Sequence, residues 1–155
     1  MRLTKQTGYA IRILIDCAVA GDELVKIEPL ALRLDITRQN AFKIVHLLSR
    51  SGFLSSVRGP TGGIRLARPA DQIRISDVVT AMEETSVAIA ETDDQKGGDG
   101  SSPLSTLFGD ALAAFISVLE AHTIADLAAT NKGPAKSALQ KTAPAKKRSN
   151  IARKA

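Results

Sequence analysis

The chain of 155 residues is 44% hydrophobic but only 3% aromatic, which suits one aliphatic core with extensions, and its single cysteine excludes an internal disulfide and, alone, a structural zinc site. No apolar run approaches the roughly 18 residues of a membrane span, and the start lacks a secretory apolar stretch, so a soluble cytoplasmic protein with no membrane partner is expected. The net charge of +5 hides a segregation: residues 1–75 hold 12 basic and 6 acidic side chains, residues 76–129 hold 1 basic and 10 acidic, and residues 130–155 hold 8 basic and none acidic.

Residues 4–20 read as a first helix, with Ala10, Ile13, Leu14, Cys17 and Ala18 on one stripe. Gly21 and Asp22 stop it. Residues 24–27 read as a short strand. Glu28-Pro29 then opens a second helix to about Leu34, since proline in the first turn lacks only an N–H that would have no partner. Asp35-Ile36 is a turn, and Thr37 is an N-cap for a third helix that ends at Gly52. On the third helix Ala41, Ile44, Val45 and Leu48 make an apolar stripe, while Gln39, Lys43, His46 and Arg50 make a polar one. Two short apolar strands follow, 54–57 and 63–66, joined by the basic, glycine-rich turn 58–62.

Residues 68–72 form an irregular connection. Ser76 is placed as the N-cap of a fourth helix, 76–84, with Asp77 at its positive end. Residues 91–102 hold three glycines and four acidic residues with no strong apolar side chain, and read as a mobile loop. Ser102-Pro103 looks like a cap and first helical position for a long helix to about His122. Along it Leu104, Phe108, Ala111, Phe115 and Val118 recur at alternating spacings of four and three, the seam of a packing helix. Leu107, Leu112 and Leu119 widen that seam beyond the needs of one small domain. A last helical turn spans 124–128. Residues 130–155 are too poor in large apolar side chains to offset chain entropy and are expected to be disordered. The organisation expected is therefore 1–84, a DNA-binding unit; 85–103, a flexible loop; 104–129, a dimerisation helix with its terminal turn; and 130–155, a basic tail.

The order helix, turn, helix, glycine, hairpin is the plan of a winged helix-turn-helix. The fold class is mainly α with a small β-wing, a DNA-binding domain joined to a long dimerisation helix. A major groove admits one helix, whose N-terminal residues reach base edges. Thr37, Arg38, Gln39 and Asn40 lie at that end of the third helix, and Lys43 is placed for a phosphate. In the wing, Gly59, Gly62 and Gly63 permit a tight turn, and Arg58 and Arg65 flank it so that an arginine can enter a minor groove. Arg2, Lys5 and Thr61 complete the set assigned to DNA. A phosphate-binding loop of the nucleotide type is set aside, because no lysine ends the glycine run and a strand follows it.

No catalytic set emerges. His46 and His122 have no ligand spacing around them, and Glu83-Glu84 and Asp93-Asp94 read as solvated charge rather than an acid–base pair. Cys17, on the apolar stripe, reads as a small core residue in preference to a redox or metal group.

Taken together, Met1-Arg2-Leu3-Thr4 with Tyr9-Ala10 and Arg12, the helix and wing, Ile75-Ser76-Asp77-Val78-Val79 and Thr123-Ile124-Ala125-Asp126-Leu127 resemble the winged-helix bacterial repressors of the IscR, NsrR and RirA type, over residues 1–128. That resemblance implies a homodimer on a palindromic operator in double-stranded DNA, with the long helix crossing its twin. Cluster-bearing members place three cysteines in the loop before the long helix. Here residues 91–105 hold none, Thr92 and Ser102 occupy two of those places, and Gly8 stands where some relatives use a carboxylate ligand. Hydroxyls are poor ligands for iron–sulfur units, so no cofactor and no metal are expected. The leading expectation is a cluster-free dimeric regulator, most simply a repressor. The alternatives are a non-specific DNA-architectural protein, favoured by the tail, and a heterodimerising modulator of a cysteine-bearing relative.

Overall fold

The computed structural model describes residues 3–83 and 103–130. Arg2, the loop 85–102 with its Ser102 cap, and the basic tail beyond Thr130 lie outside the described residues. In chain order the elements are α1 (Lys5–Ala20), α2 (Ile27–Arg33), α3 (Arg38–Arg50), β1 (Leu54–Val57), β2 (Gly63–Leu66), a 3-10 turn (Ala70–Gln72), α4 (Ile75–Met82), α5 (Pro103–Glu120) and α6 (Ile124–Thr130).

Helix α1 is the hub, packed against α3, β2, α4 and α6. Its buried residues are Thr7, Ala10, Ile13, Leu14, Ile15 and Cys17. On α3 the apolar stripe is buried at Ala41, Ile44, Val45 and Leu48, while Gln39, Lys43, His46 and Arg50 are exposed. The core is continued by Leu30 of α2, Ile64 of β2, Ile73, Val78 and Val79 of α4, and Ile124 of α6, all fully buried. Each such side chain contributes about 1.5–3 kcal/mol on leaving water.

The two strands lie at the bounds read from the sequence and pair antiparallel, Leu54 opposite Leu66 and Val57 opposite Gly63. The strand expected at 24–27 shrinks to one antiparallel bridge, Val25 with Ile64, made by two backbone hydrogen bonds of 2.9 Å. Helix α2 takes the rest of that segment, beginning at Ile27 with Pro29 still in its first turn. Of the wing glycines only Gly59 has a positive φ, 109°. Gly62 serves close approach instead: a Cβ there would collide with the Val57 carbonyl oxygen.

Ser76 is not the cap of α4. The helix begins one residue earlier, with Arg74 extended at the cap position, and Ser76 is buried in the first turn. The reason is tertiary. Arg74 forms a β-bridge with Thr123. The Ile75 N–H donates to the His122 carbonyl at 3.0 Å, and the Ile124 N–H to the Ile73 carbonyl at 2.9 Å. A donor left over at a helix start is thus met from a distant strand-like segment, and a hydroxyl cap is not needed. Helix α4 also stops at Met82, two residues short of the expected end. Helix α6 opens with a reciprocal cap: the Asp126 carboxylate accepts from the Thr123 N–H and hydroxyl, both at 2.8 Å, and the Asp126 N–H donates back to Thr123 Oγ1.

A second long-range cap closes the start of α1. The Glu83 carboxylate accepts from the Thr4 N–H at 2.7 Å, from the Thr4 hydroxyl at 2.8 Å and from the Thr7 hydroxyl. Thr4 is itself the N-cap of α1.

Helix α5 buries no residue fully. Phe115, Ile116 and Leu119 are half-buried against the core, whereas Leu104, Leu107, Phe108 and Val118 are exposed. By length and mean hydropathy alone α5 reaches the range of a membrane span, although its apolar residues form no unbroken run of that length. A mean tolerates the interruption by Asp110, which at a bilayer centre would cost about 2.5–3.5 kcal/mol.

Ile64→Ala removes the side chain at the junction of wing, Val25 bridge and α1, and is expected to cost about 2–5 kcal/mol of folding free energy by denaturant titration. Glu83 gives a pH dependence. The Thr7 hydroxyl foremost holds its carboxyl below the ordinary glutamate value; burial, second in size, opposes it, and the Thr4 N–H and hydroxyl add to the lowering. The folded chain therefore takes up this proton less readily than the unfolded one. The stabilisation is complete above about pH 4.3 and is lost as pH falls through the lower folded value. Glu83→Gln should flatten the acid limb of a stability–pH curve in that window.

Candidate nucleic-acid interface

The third helix is started by a local cap, the Asn40 N–H donating to Thr37 Oγ1 at 3.2 Å. This turns the chain sharply out of Asp35, a non-glycine residue at φ 53°; aspartate tolerates that left-handed conformation better than most. The result is that Thr37, Arg38, Gln39 and Asn40 all stand exposed at the N-terminal end of α3.

Two grooves flank that helix. One lies against the start of α1 and is lined by Lys5, Gln6 and Tyr9 on one side and by Thr37, Asn40 and Lys43 on the other. Lys5, assigned only from its charge, is thus brought beside the N-terminal end of α3. The other groove lies between α3 and the wing, with Phe42, His46 and Ser49 facing Ser56, Arg58, Gly59 and Pro60. Lys26 lines it too, and its ammonium donates to the Pro60 carbonyl at 3.0 Å, holding the wing tip toward α2. The Gly62 N–H donates to the Gly59 carbonyl at 2.9 Å and closes the turn, leaving Thr61 exposed.

Arg65 does not join this arrangement. It pairs with Ser55 in the hairpin, whereas Ser56 pairs with Ile64. Strand parity therefore puts it on the other face, where it lines a hollow with Cys17, Gly21 and Asp22. Arg58 stays with α3 and Arg65 is turned away. Arg68, further along, stacks over Phe53 at 5.0 Å and lies 3.8 Å from Asp77.

Arg38 has partners that sequence reading missed. Its guanidinium is 2.9 Å from Glu28 of α2 and lies 5.4 Å over the Phe42 ring. Both members of the pair are more than half exposed, so the pair is worth about 0–1 kcal/mol and leaves Arg38 free to exchange it for another acceptor. Lys26 and Glu28 sit where the Val25 bridge gives way to α2, and no local pattern ties Lys26 to a wing over 30 residues later or Glu28 to Arg38. Phe42 was detectable as a large apolar residue outside the buried stripe of α3, as Leu47 is, and it is the more exposed of the two at 43%.

Cys17 is buried in the core. Burial foremost, then the charge of Asp16, pushes its thiol up to about 12, against the lowering effect of Arg33. It has neither the exposure nor the thiolate character of a reactive or metal-binding cysteine. Among the described residues no group of three or more histidine, cysteine, aspartate or glutamate side chains is placed to hold a metal ion.

The family pattern Rrf2, described as iron-dependent transcriptional regulator, matches residues 3–130. Protein aau3 of Rhizobium meliloti (strain 1021) is 42% identical over 133 residues, spanning 82% of this chain and 84% of the relative. The HTH-type transcriptional regulator NsrR of Oceanobacillus iheyensis is 36% identical over 131 residues, spanning 82% and 89%. Among solved structures, IscR of T. potens superposes with a TM-score of 0.70 at 20% identity, covering 85% of this chain and 89% of that one. CymR of B. subtilis gives 0.69 at 22% identity, covering 84% and 98%. At such identities the two structures speak for the winged-helix fold, and the sequence matches speak for the family. The chain belongs to the Rrf2 family, a family of DNA-binding transcriptional regulators and not of enzymes.

Proposed function

We propose that the chain acts in the cytoplasm as a homodimer that reads a palindromic operator, most simply as a repressor, and that it does so without an iron–sulfur cluster. The observation that carries this reading is the division of α3 into a buried apolar stripe and an exposed polar one, with α1 and the wing flanking the exposed side. Arg38, Gln39 and Asn40 read base edges, with Thr37 capping the helix that presents them. Lys5 and Lys43 bind phosphate, and Arg58 with Gly59 and Thr61 enters the neighbouring minor groove. Arg2 and the basic tail add sequence-independent attraction. Arg65 faces away and is a weaker member of the set.

The family description names iron, so the donor set matters. The whole chain has one cysteine, and it is a core residue. Gly8, where some relatives place a carboxylate, brings no ligand atom. Soft thiolate ligands hold iron–sulfur clusters, and the residues present do not fit one.

Dimerisation is supported by the uncovered flank of α5. Leu104, Leu107, Phe108 and Val118 are between 45% and 64% exposed, and Ala111 lies on the same side. Leu112, Phe115 and Leu119, assigned with them from the sequence, are half-buried and serve the chain's own packing first. A contiguous apolar surface of this kind marks an interaction site.

Footprinting on genomic DNA tests the reading. A short protected palindrome that survives competitor DNA is expected; uniform coating would favour an architectural role. Arg38→Ala should cost about 1–3 kcal/mol at one base position and relax preference there. Equal loss on all sequences would reduce Arg38 to a phosphate contact. A Phe108→Glu, Val118→Glu double variant should sediment as a monomer and lose operator affinity while keeping its helical content.

A further inference from the structure

The start of α1 is secured in two ways. Thr4 caps it locally, its Oγ1 accepting from the Thr7 N–H at 3.3 Å. Glu83, at the C-terminal end of α4, clasps it from outside, through the Thr4 N–H, the Thr4 hydroxyl and the Thr7 hydroxyl. Thr7 is fully buried, so its hydroxyl has no solvent to turn to. The carboxylate also stands at the positive end of the α1 dipole, where negative charge is favoured. The local cap alone would fold the first turn. The clasp adds direction: it fixes where that turn points relative to α4 and to the core.

What the turn carries is Lys5, which stands across a groove from Asn40 and Lys43. We propose that Glu83 is a positioning residue for DNA binding, aligning the first turn of α1 so that Lys5 and Lys43 present their charges together to the phosphate backbone. This rests on the assignment of Lys5 as a DNA contact. Glu83 lies 78 residues from Lys5 in sequence and touches no DNA itself. Since α4 also packs on α5, the clasp joins the α4–α5 layer to the DNA-facing end of α1.

Removing a negative charge from a DNA-binding protein should, by long-range electrostatics alone, strengthen binding. Loss of the clasp should weaken it. Phosphate contacts are independent of sequence, so a short mixed-sequence duplex is a sufficient probe for the full-length chain. The measurement is the slope of log affinity against log salt concentration. Lys5→Ala is expected to reduce that slope by about 1. Glu83→Ala and the uncharged, similarly sized Thr7→Val should each reduce it by a comparable amount, and neither should reduce it further in a Lys5→Ala background. A purely structural cap would lower the melting temperature and leave the slope of the folded protein unchanged. If Lys5→Ala lowers the slope while Glu83→Ala and Thr7→Val keep it, or if Glu83→Ala tightens binding, the positioning role is overturned and the DNA-contact reading stands. If Lys5→Ala itself has no effect, Lys5 leaves the interface and the inference falls with it.

Discussion

The structure depends on the packing of α3 against α1. Ala41, Ile44, Val45 and Leu48 form a narrow buried stripe, whereas α1 is buried at Thr7, Ala10, Ile13, Leu14, Ile15 and Cys17, a surface that serves several neighbours. The asymmetry has a functional meaning. A helix buried on many sides can hold others in place, and a helix buried on one stripe can present the rest of its surface. The conformation of the polar face of α3 is therefore set by apolar contacts that take no part in recognition. Cys17 belongs to this layer, and its thiol serves as a small apolar filler.

The parts of the fold that the sequence discloses are those with local grammar. The third helix shows itself through two stripes of opposite chemistry sharing one period. The hairpin shows itself because Gly59 through Gly63 punctuate two apolar segments, and its register follows from the turn. What fails is where tertiary bonds override local preference. Ser76 has the chemistry of a cap, yet Arg74 is held extended by Thr123 and the helix starts before the serine is reached. The placement of Arg65 was recoverable: Ile64 must face inward, so its neighbour faces the other side of the hairpin. The Glu83 clasp, by contrast, spans 76 residues to Thr7, and nothing in the local pattern at either end announces it.

Helix α5 illustrates a limit of periodicity as evidence. A repeat of alternating fours and threes identifies apolar positions without saying which partner each one meets. Phe115 and Leu119 lean on the chain's own core, with Ile116 between them, while Phe108 and Val118 are exposed. One seam read from the sequence is thus two surfaces in three dimensions. The inward one is what allows a mostly exposed helix to keep a defined position, and it does so through α4, the element that Glu83 follows.

The bridge between Arg74 and Thr123 bears on how such proteins can be recombined. Ile124 is fully buried beside α1, and the Ile73 carbonyl is met by the N–H of Ile124, the first residue of α6. Helix α3 and the wing are consequently not a detachable cassette, because α6 fills out the body on which they are mounted. An exchange of α3 and the wing between two relatives would have to carry α6 with them, or else rebuild the seam between Arg74 and Thr123.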